Sequence, residues 1–201
     1  MLFCHGIKNG LVKEKIEKIL ADQTIKSAKE QKLYKAYGLN DLEYISTCVV
    51  CSKESYENYP ENNAFNLYIS HHFCFIFKDL DTVETTFIKD LKQWNIYKRI
   101  EYQQNNPNIR ITDLFDERQV YGNIPLENAI AIGIPYPEAE LNFICLSKFS
   151  ILTKSEFNRL VKKVEAFAKI YNLKILNSNS PDFLFQLQTL QTEKSKNYPK
   201  K

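Results

Sequence analysis

The spacing of apolar and polar residues predicts several strands and two amphipathic helices. Runs dense in apolar residues predict strands at 2–5, 44–50, 73–77, 129–134, 141–146 and 173–176. Apolar residues recur at helical spacing from Leu11 to Leu20 and again from Phe157 to Tyr171. Residues 153 and 156 form a capping-box pattern that marks the start of the second helix. Segments 52–66 and 103–108 are expected to be loops, and 83–102 fits neither pattern.

The order of these elements indicates the fold class. Strand, helix, several strands, helix and strand do not alternate in the strict way that builds a doubly wound parallel sheet. We therefore expect an α+β fold with split, mainly antiparallel β-sheets and flanking helices, in which 129–134 and 141–146 form a hairpin. A single domain is predicted over residues 1–190, and 191–201, which has almost nothing to bury, is predicted to be a disordered basic tail.

Composition narrows the class of protein. A chain of 201 residues that is 44% hydrophobic can bury one substantial core, and a net charge of +3 is too small to imply a polyanionic partner. The absence of a long apolar run and of a signal-peptide pattern favours a cytoplasmic protein without a membrane span, with signal-independent export as an effector as the alternative. Five cysteines, an odd number, favour reduced thiols.

Three segments carry side chains that could perform chemistry. His5 and Gly6 end the first strand, where an imidazole can form a hydrogen bond from a fixed position and a glycine lets a ligand approach the backbone. Segment 44–59 carries hydroxyl and tyrosine side chains that could anchor and stack an aromatic ligand. Glu117 precedes a short extended piece, and a carboxylate there could hold a ribose hydroxyl and stabilise positive charge on a sugar ring. Taken alone, each segment is better explained without chemistry: the first as a strand end with a turn glycine, the second as an edge strand with a surface loop, and Glu117 as a solvated residue at a strand edge.

Taken together and in this order, the three segments resemble the ADP-ribosyltransferase superfamily, in its histidine-bearing branch with diphtheria toxin and the poly(ADP-ribose) polymerases. Segment 2–6 is similar to the first strand of that branch, which ends in His-Gly. Segments 44–46 and 52–56 are similar to its second strand and the tyrosine that follows. Segment 116–132 resembles the strand with the catalytic glutamate, followed by an Ile-Pro-Leu-Glu stretch.

The resemblance implies a substrate and a role for each residue. The substrate would be NAD, and His5 would hold its adenosine-side ribose while the Gly6 backbone binds the nicotinamide carboxamide. Tyr44 and Tyr56 would sandwich the nicotinamide ring, with Tyr59 and Tyr68 as alternatives to Tyr56. Ser46 would be a supporting polar contact, and Glu117 would be the catalytic residue that grips the nicotinamide ribose.

The implied function is an NAD-dependent mono-ADP-ribosyltransferase, a toxin or effector that modifies a protein or nucleic-acid acceptor and could have an antitoxin or inhibitor protein as partner. Phe115 occupies the position two before Glu117, where arginine-modifying relatives carry Glu or Gln, and this departure argues against arginine as the acceptor. The alternative is a non-catalytic α+β interaction module. The sequence does not specify an oligomeric state.

Two rival sites follow from the cysteines and histidines. Cys48 and Cys51 have zinc-knuckle spacing, and His71, His72 and Cys74 follow about twenty residues later. A strand would place Cys48 and Cys51 on opposite faces, so we expect no metal site. A cysteine nucleophile paired with His71 or His72 is the second rival, and nothing near either residue in the sequence supports it.

Overall fold

The computed structural model describes residues 2–7, 12–27, 30, 44–49, 69, 71–82, 93–106, 117–136 and 152–192. Its strands are β1 Leu2–Ile7, β2 Thr24–Ile25, β3 Tyr44–Val49, β4 Phe73–Lys78, β5 Glu117–Tyr121, β6 Ile124–Pro125, β7 Ala129–Ile134 and β8 Lys174–Asn177. Its helices are α1 Val12–Asp22, α2 Ile96–Asn105, α3 Lys154–Ile170 and α4 Phe183–Thr192, with a 3-10 turn at Leu126–Asn128.

Six of these strands form one mixed sheet in the order β5-β3-β1-β4-β7-β8. Neighbouring strands are antiparallel except for β7 and β8, which are parallel and are connected through α3. β2 and β6 form a separate antiparallel pair. The fold is therefore α+β, as the order of elements predicts.

Helices cover both faces of the large sheet. On one face, α1 buries Val12, Ile16 and Ile19, whose spacing places them on one side of the helix, and α3 packs beside it in the same core cluster. On the other face, α4 packs Phe183 and Leu187 in a second cluster. Since both faces are covered, the middle strand β4 is buried from Phe73 to Phe77 instead of alternating buried with exposed residues.

Most of the predicted elements that lie within the described ranges are confirmed, and three expectations differ. Gln103–Asn105 belong to α2, so the predicted loop at 103–108 is wrong there. Both edges of β7 are paired, with β4 and β8, so β7 has no free edge for the predicted hairpin; segment 141–146 lies outside the described residues. The sequence did not predict α4, which continues past Leu190 to Thr192, and residues 193–201 are also outside the described part.

Among the helices that the structure describes, none is long and apolar enough to cross a membrane.

Candidate functional site

The middle of β1 is unusual because His5 and Gly6 are partly exposed in an inner strand of the sheet. Their partners on β4, Phe75 and Cys74, are fully buried. β1 also continues past Gly6 to Ile7, so the predicted end of the first strand lies in fact inside a longer strand. His5 and Gly6 are therefore more exposed than the β4 residues with which they pair.

The pairing of β1 with β3 is shorter than either strand. It consists of Phe3 opposite Val49 and Cys4 opposite Cys48, and it ends there, although both strands continue. Beyond that point β1 stays paired with β4 as far as Ile7, and β3 stays paired with β5 back to Tyr44. We call the interval between residues 5–7 of β1 and residues 44–47 of β3 the strand gap.

The predicted site residues can be located by the rows of the sheet, a row being the residues directly opposite one another on neighbouring strands. Glu117 is opposite Cys48, which is opposite Cys4, so Glu117 lies in the last row before the strand gap opens. Ser46 is opposite Gln119 and Tyr44 is opposite Tyr121, two and four residues further along β3. Tyr56, Tyr59, Tyr68 and Phe115 lie outside the described residues.

Alternate rows of a sheet belong to opposite faces, and this divides the predicted residues. Glu117, Ser46 and Tyr44 occupy rows of the same parity as Cys4 and Cys48, the parity that Gly6 also has on β1. His5 occupies the intervening row, with Phe75 and Ile132 of the other core cluster. The rows therefore assign His5 and Glu117 to opposite faces of the sheet, and a ligand could contact both only by passing between β1 and β3.

The backbone of β1 also bears on the chemistry of the strand gap. Residues along an antiparallel strand direct their N–H and C=O groups alternately to one neighbouring strand and to the other. Between His5 and Ile7, at least one residue therefore directs these groups toward the β3 side, beyond the last paired row. Such groups can bind an amide or a hydroxyl of a ligand.

Gln119 is a residue of this region that the sequence did not single out. Its side chain is buried, and it lies opposite Ser46, two residues along β5 from Glu117. Thr47, in the next row, is also buried, but its hydroxyl donates a 3.1 Å hydrogen bond to the carbonyl oxygen of Arg118. The alternation of polar residues at 117, 119 and 121 was the available signal, and it does not reveal which of them is buried.

The rival cysteine sites gain no support. No cluster of metal-ligating side chains exists among the described residues, and Cys51 lies outside them. Cys4, Cys48 and Cys74 are buried and form no disulfide, and burial raises the pKa of the Cys74 thiol to about 12, partly offset by a hydrogen bond with the backbone of Gly133. A thiol that stays protonated at neutral pH is a poor nucleophile. The Nδ1 atom of His71 contacts Oδ1 of Asn179 at 2.7 Å, a surface interaction.

An open basic depression lies elsewhere, along the first turns of α3. It is lined by Lys154, Ser155, Asn158, Arg159 and Lys162. Neighbouring Lys163 donates to Glu17 of α1 at 2.6 Å, which ties the two helices together. The exposed side chains of this depression form an ordinary solvated helix face, so the strand gap remains the better candidate site.

Comparisons of this chain with protein-family models, with curated proteins and with solved structures find no match.

Proposed function

We propose that this protein is an NAD-dependent mono-ADP-ribosyltransferase whose substrate binds in the strand gap. The observation that carries the proposal is the end of β1–β3 pairing at the row of Cys4, Cys48 and Glu117. Beyond that row β1 and β3 are unpaired, with His5 and Gly6 on one side and Ser46 and Tyr44 on the other, and Glu117 lies on β5 behind β3. An ADP-ribosyltransferase-like fold is part of the proposal, supported by the mainly antiparallel sheet, its flanking helices and the separate β2–β6 pair.

The proposed roles follow the positions around the strand gap. The β1 backbone near Gly6 binds the carboxamide of nicotinamide, and Ser46 and Tyr44 lie across the gap on β3. Glu117 holds a hydroxyl of the nicotinamide ribose. His5, in the intervening row, contacts the adenosine-side ribose where the dinucleotide leaves the gap. Tyr56 completes the stacking of the nicotinamide ring in this scheme.

The proposed reaction replaces one glycosidic bond by another. The bond between C1′ of the ribose and the pyridinium nitrogen breaks, and its electron pair leaves with neutral nicotinamide. A lone pair of the protein or nucleic-acid acceptor forms the new bond to C1′, and the proton of the acceptor passes to a base or to water. Because positive charge develops on the ribose ring, a carboxylate hydrogen-bonded to that ring stabilises the transition state more than the ground state.

Glu117→Ala tests the proposal through release of nicotinamide from labelled NAD. We expect the wild type to release nicotinamide. The rate of release by the variant should be at least about a hundredfold lower, since the lost interaction strengthens in the transition state. The matched control is Glu127→Ala, which removes an exposed glutamate from the 3-10 turn ten residues later and should leave the rate unchanged.

Binding of NAD, measured by calorimetry, gives a readout that does not depend on the missing acceptor. We expect NAD to bind the wild type, and Glu117→Ala to retain most of that affinity while losing turnover. Absence of NAD binding together with equal background release from both proteins would reject the enzyme and favour the non-catalytic interaction module. The role as a toxin or effector and an inhibitory partner remain predictions of the resemblance.

A further inference from the structure

Gln119 stands out among the buried polar side chains that the structure describes. It is 6% exposed, and no hydrogen bond of its carboxamide exists within the described part of the chain. The other buried polar residues there have partners: Thr47 donates to Arg118, Ser178 donates to the carbonyl oxygen of His72, and Ser27 accepts from the backbone of Glu30. A buried polar group without a partner is costly, so its retention calls for an explanation.

The position of Gln119 on β5 relates its carboxamide to the strand gap. Gln119 is opposite Ser46 on β3, and the β1–β3 register, continued from Cys4 and Cys48, would place Gly6 opposite Ser46. Gln119 therefore lies in the row that leads across the gap to Gly6. Neighbouring strands are about 4.8 Å apart, and a glutamine side chain can extend over a small residue such as serine toward that opening.

The chemistry of the side chain indicates what it would bind. A glutamine carboxamide offers an acceptor oxygen and a donor nitrogen side by side, the arrangement that pairs with another carboxamide through two hydrogen bonds. We propose that Gln119 reaches past Ser46 of β3 and recognises the carboxamide of nicotinamide bound at the strand gap, opposite the β1 backbone. This specificity role rests on the proposed binding of NAD.

The first test measures stability and does not depend on NAD. Gln119→Met keeps the length of the side chain and removes both polar atoms, so without ligand we expect the variant to melt at a higher temperature than the wild type. Thr47→Val is the matched control: it removes a buried hydroxyl that has an internal partner, and it should melt at a lower temperature. A lower melting temperature for Gln119→Met would reveal an internal partner for Gln119 and overturn the proposal.

The second test measures affinity in the Glu117→Ala background, where NAD is not consumed. We expect Gln119→Met to weaken NAD binding by about tenfold in calorimetry, the effect of losing hydrogen bonds from a buried amide. The wild-type side chain should bind NAD more tightly than nicotinic acid adenine dinucleotide, because the carboxylate of the latter cannot donate to the glutamine oxygen. We expect the ratio of these two affinities to be smaller in Gln119→Met. If NAD binds but Gln119→Met changes neither the affinity for NAD nor the ratio of the two affinities, only the role of Gln119 is refuted. If NAD binds to no variant, the proposed function is refuted.

Discussion

Gly133 in β7 shows how closely the sheet and α4 approach each other. It lies opposite Cys74 of β4, and a Cβ atom added at this position would be 2.5 Å from Sγ of Cys74 and 3.2 Å from Cζ of Phe183. Glycine is therefore required here for close packing and not for an unusual backbone angle, since its φ is not positive.

Gly133→Ala should lower the free energy of unfolding by about 1–3 kcal/mol, the usual cost of inserting a methyl group into a filled core. Urea denaturation measures the change. Gly122→Asn is the control, because Gly122 has a φ of 83° with no atom near its virtual Cβ, and asparagine tolerates that conformation. An unchanged midpoint for Gly133→Ala would mean that Cys74 and Phe183 can move aside.

The residues of the candidate site differ in how well the sequence could predict them. His5, Gly6 and Glu117 could be selected because their chemistry and order along the chain are visible in the sequence. Their positions relative to one another could not be predicted, since these depend on the strand order and on where the pairing of β1 with β3 ends. The burial of Gln119 was hidden for the same reason, because burial depends on elements distant in the sequence.

Single elements were predicted well where their signals are local. The backbone N–H of Glu156 donates to Oγ1 of Thr153 at 3.2 Å and the backbone N–H of Thr153 donates to Oε2 of Glu156 at 3.1 Å, the reciprocal pair expected from two residues three apart. The same carboxylate accepts from Nζ of Lys13 on α1 at 3.1 Å, which the sequence could not reveal.

This cap predicts a dependence of stability on pH. Hydrogen bonds from Thr153, followed by the contact with Lys13, lower the pKa of Glu156 from 4.5 to about 2. Since the folded pKa is below the unfolded one, the stabilisation is fully present above pH 4.5 and disappears as the pH falls toward 2.

Glu156→Gln should therefore melt at a lower temperature than the wild type at neutral pH, and the difference should shrink between about pH 4.5 and pH 2. Thermal melts followed by circular dichroism across this range provide the measurement. Glu127→Gln, at an exposed glutamate outside the α-helices, serves as control. A difference that stays constant down to pH 2 would contradict the role of the ionised carboxylate.

The helices that the sequence did not predict have weaker but visible signals. The side chain of Asn95 caps α2 by accepting from the backbone of Lys98 at 3.0 Å. Before α4, Ser180 accepts from the backbone of Asp182 at 3.2 Å, and Pro181 lies between them, a common way to begin a helix. Serine, asparagine and proline mark loops equally often, so these signals become decisive only when the packing of the helix is known.

At the scale of the whole molecule, two helical layers enclose the sheet unequally. One face is covered by α1 and α3 together, whereas on the other face, among the described helices, α4 provides the cover with Phe183, Leu187 and Leu190. The fold class was predictable from the order of elements, but the strand order and the parallel β8 were not, because both arise from long-range pairing.

Leu187→Ala tests how much the sheet depends on α4. Leu187 is 0% exposed, and its truncation should lower the free energy of unfolding by about 2–5 kcal/mol. Phe185→Ala on the same helix is the control, since Phe185 is 69% exposed and its loss should have little effect. Chemical denaturation compares the two, and equal losses would show that the assigned buried and exposed sides of α4 are wrong.

The inner position of β1 has a consequence for how the chain folds. β1 precedes both of its partners in sequence, and β4, which pairs with all of it, ends only at Lys78. A nascent chain leaving the ribosome would hold this apolar segment without either neighbour until much more of the protein has been made. Such long-range strand pairing favours slow folding, on a timescale of about milliseconds to seconds, and leaves an apolar segment that chaperones could protect meanwhile.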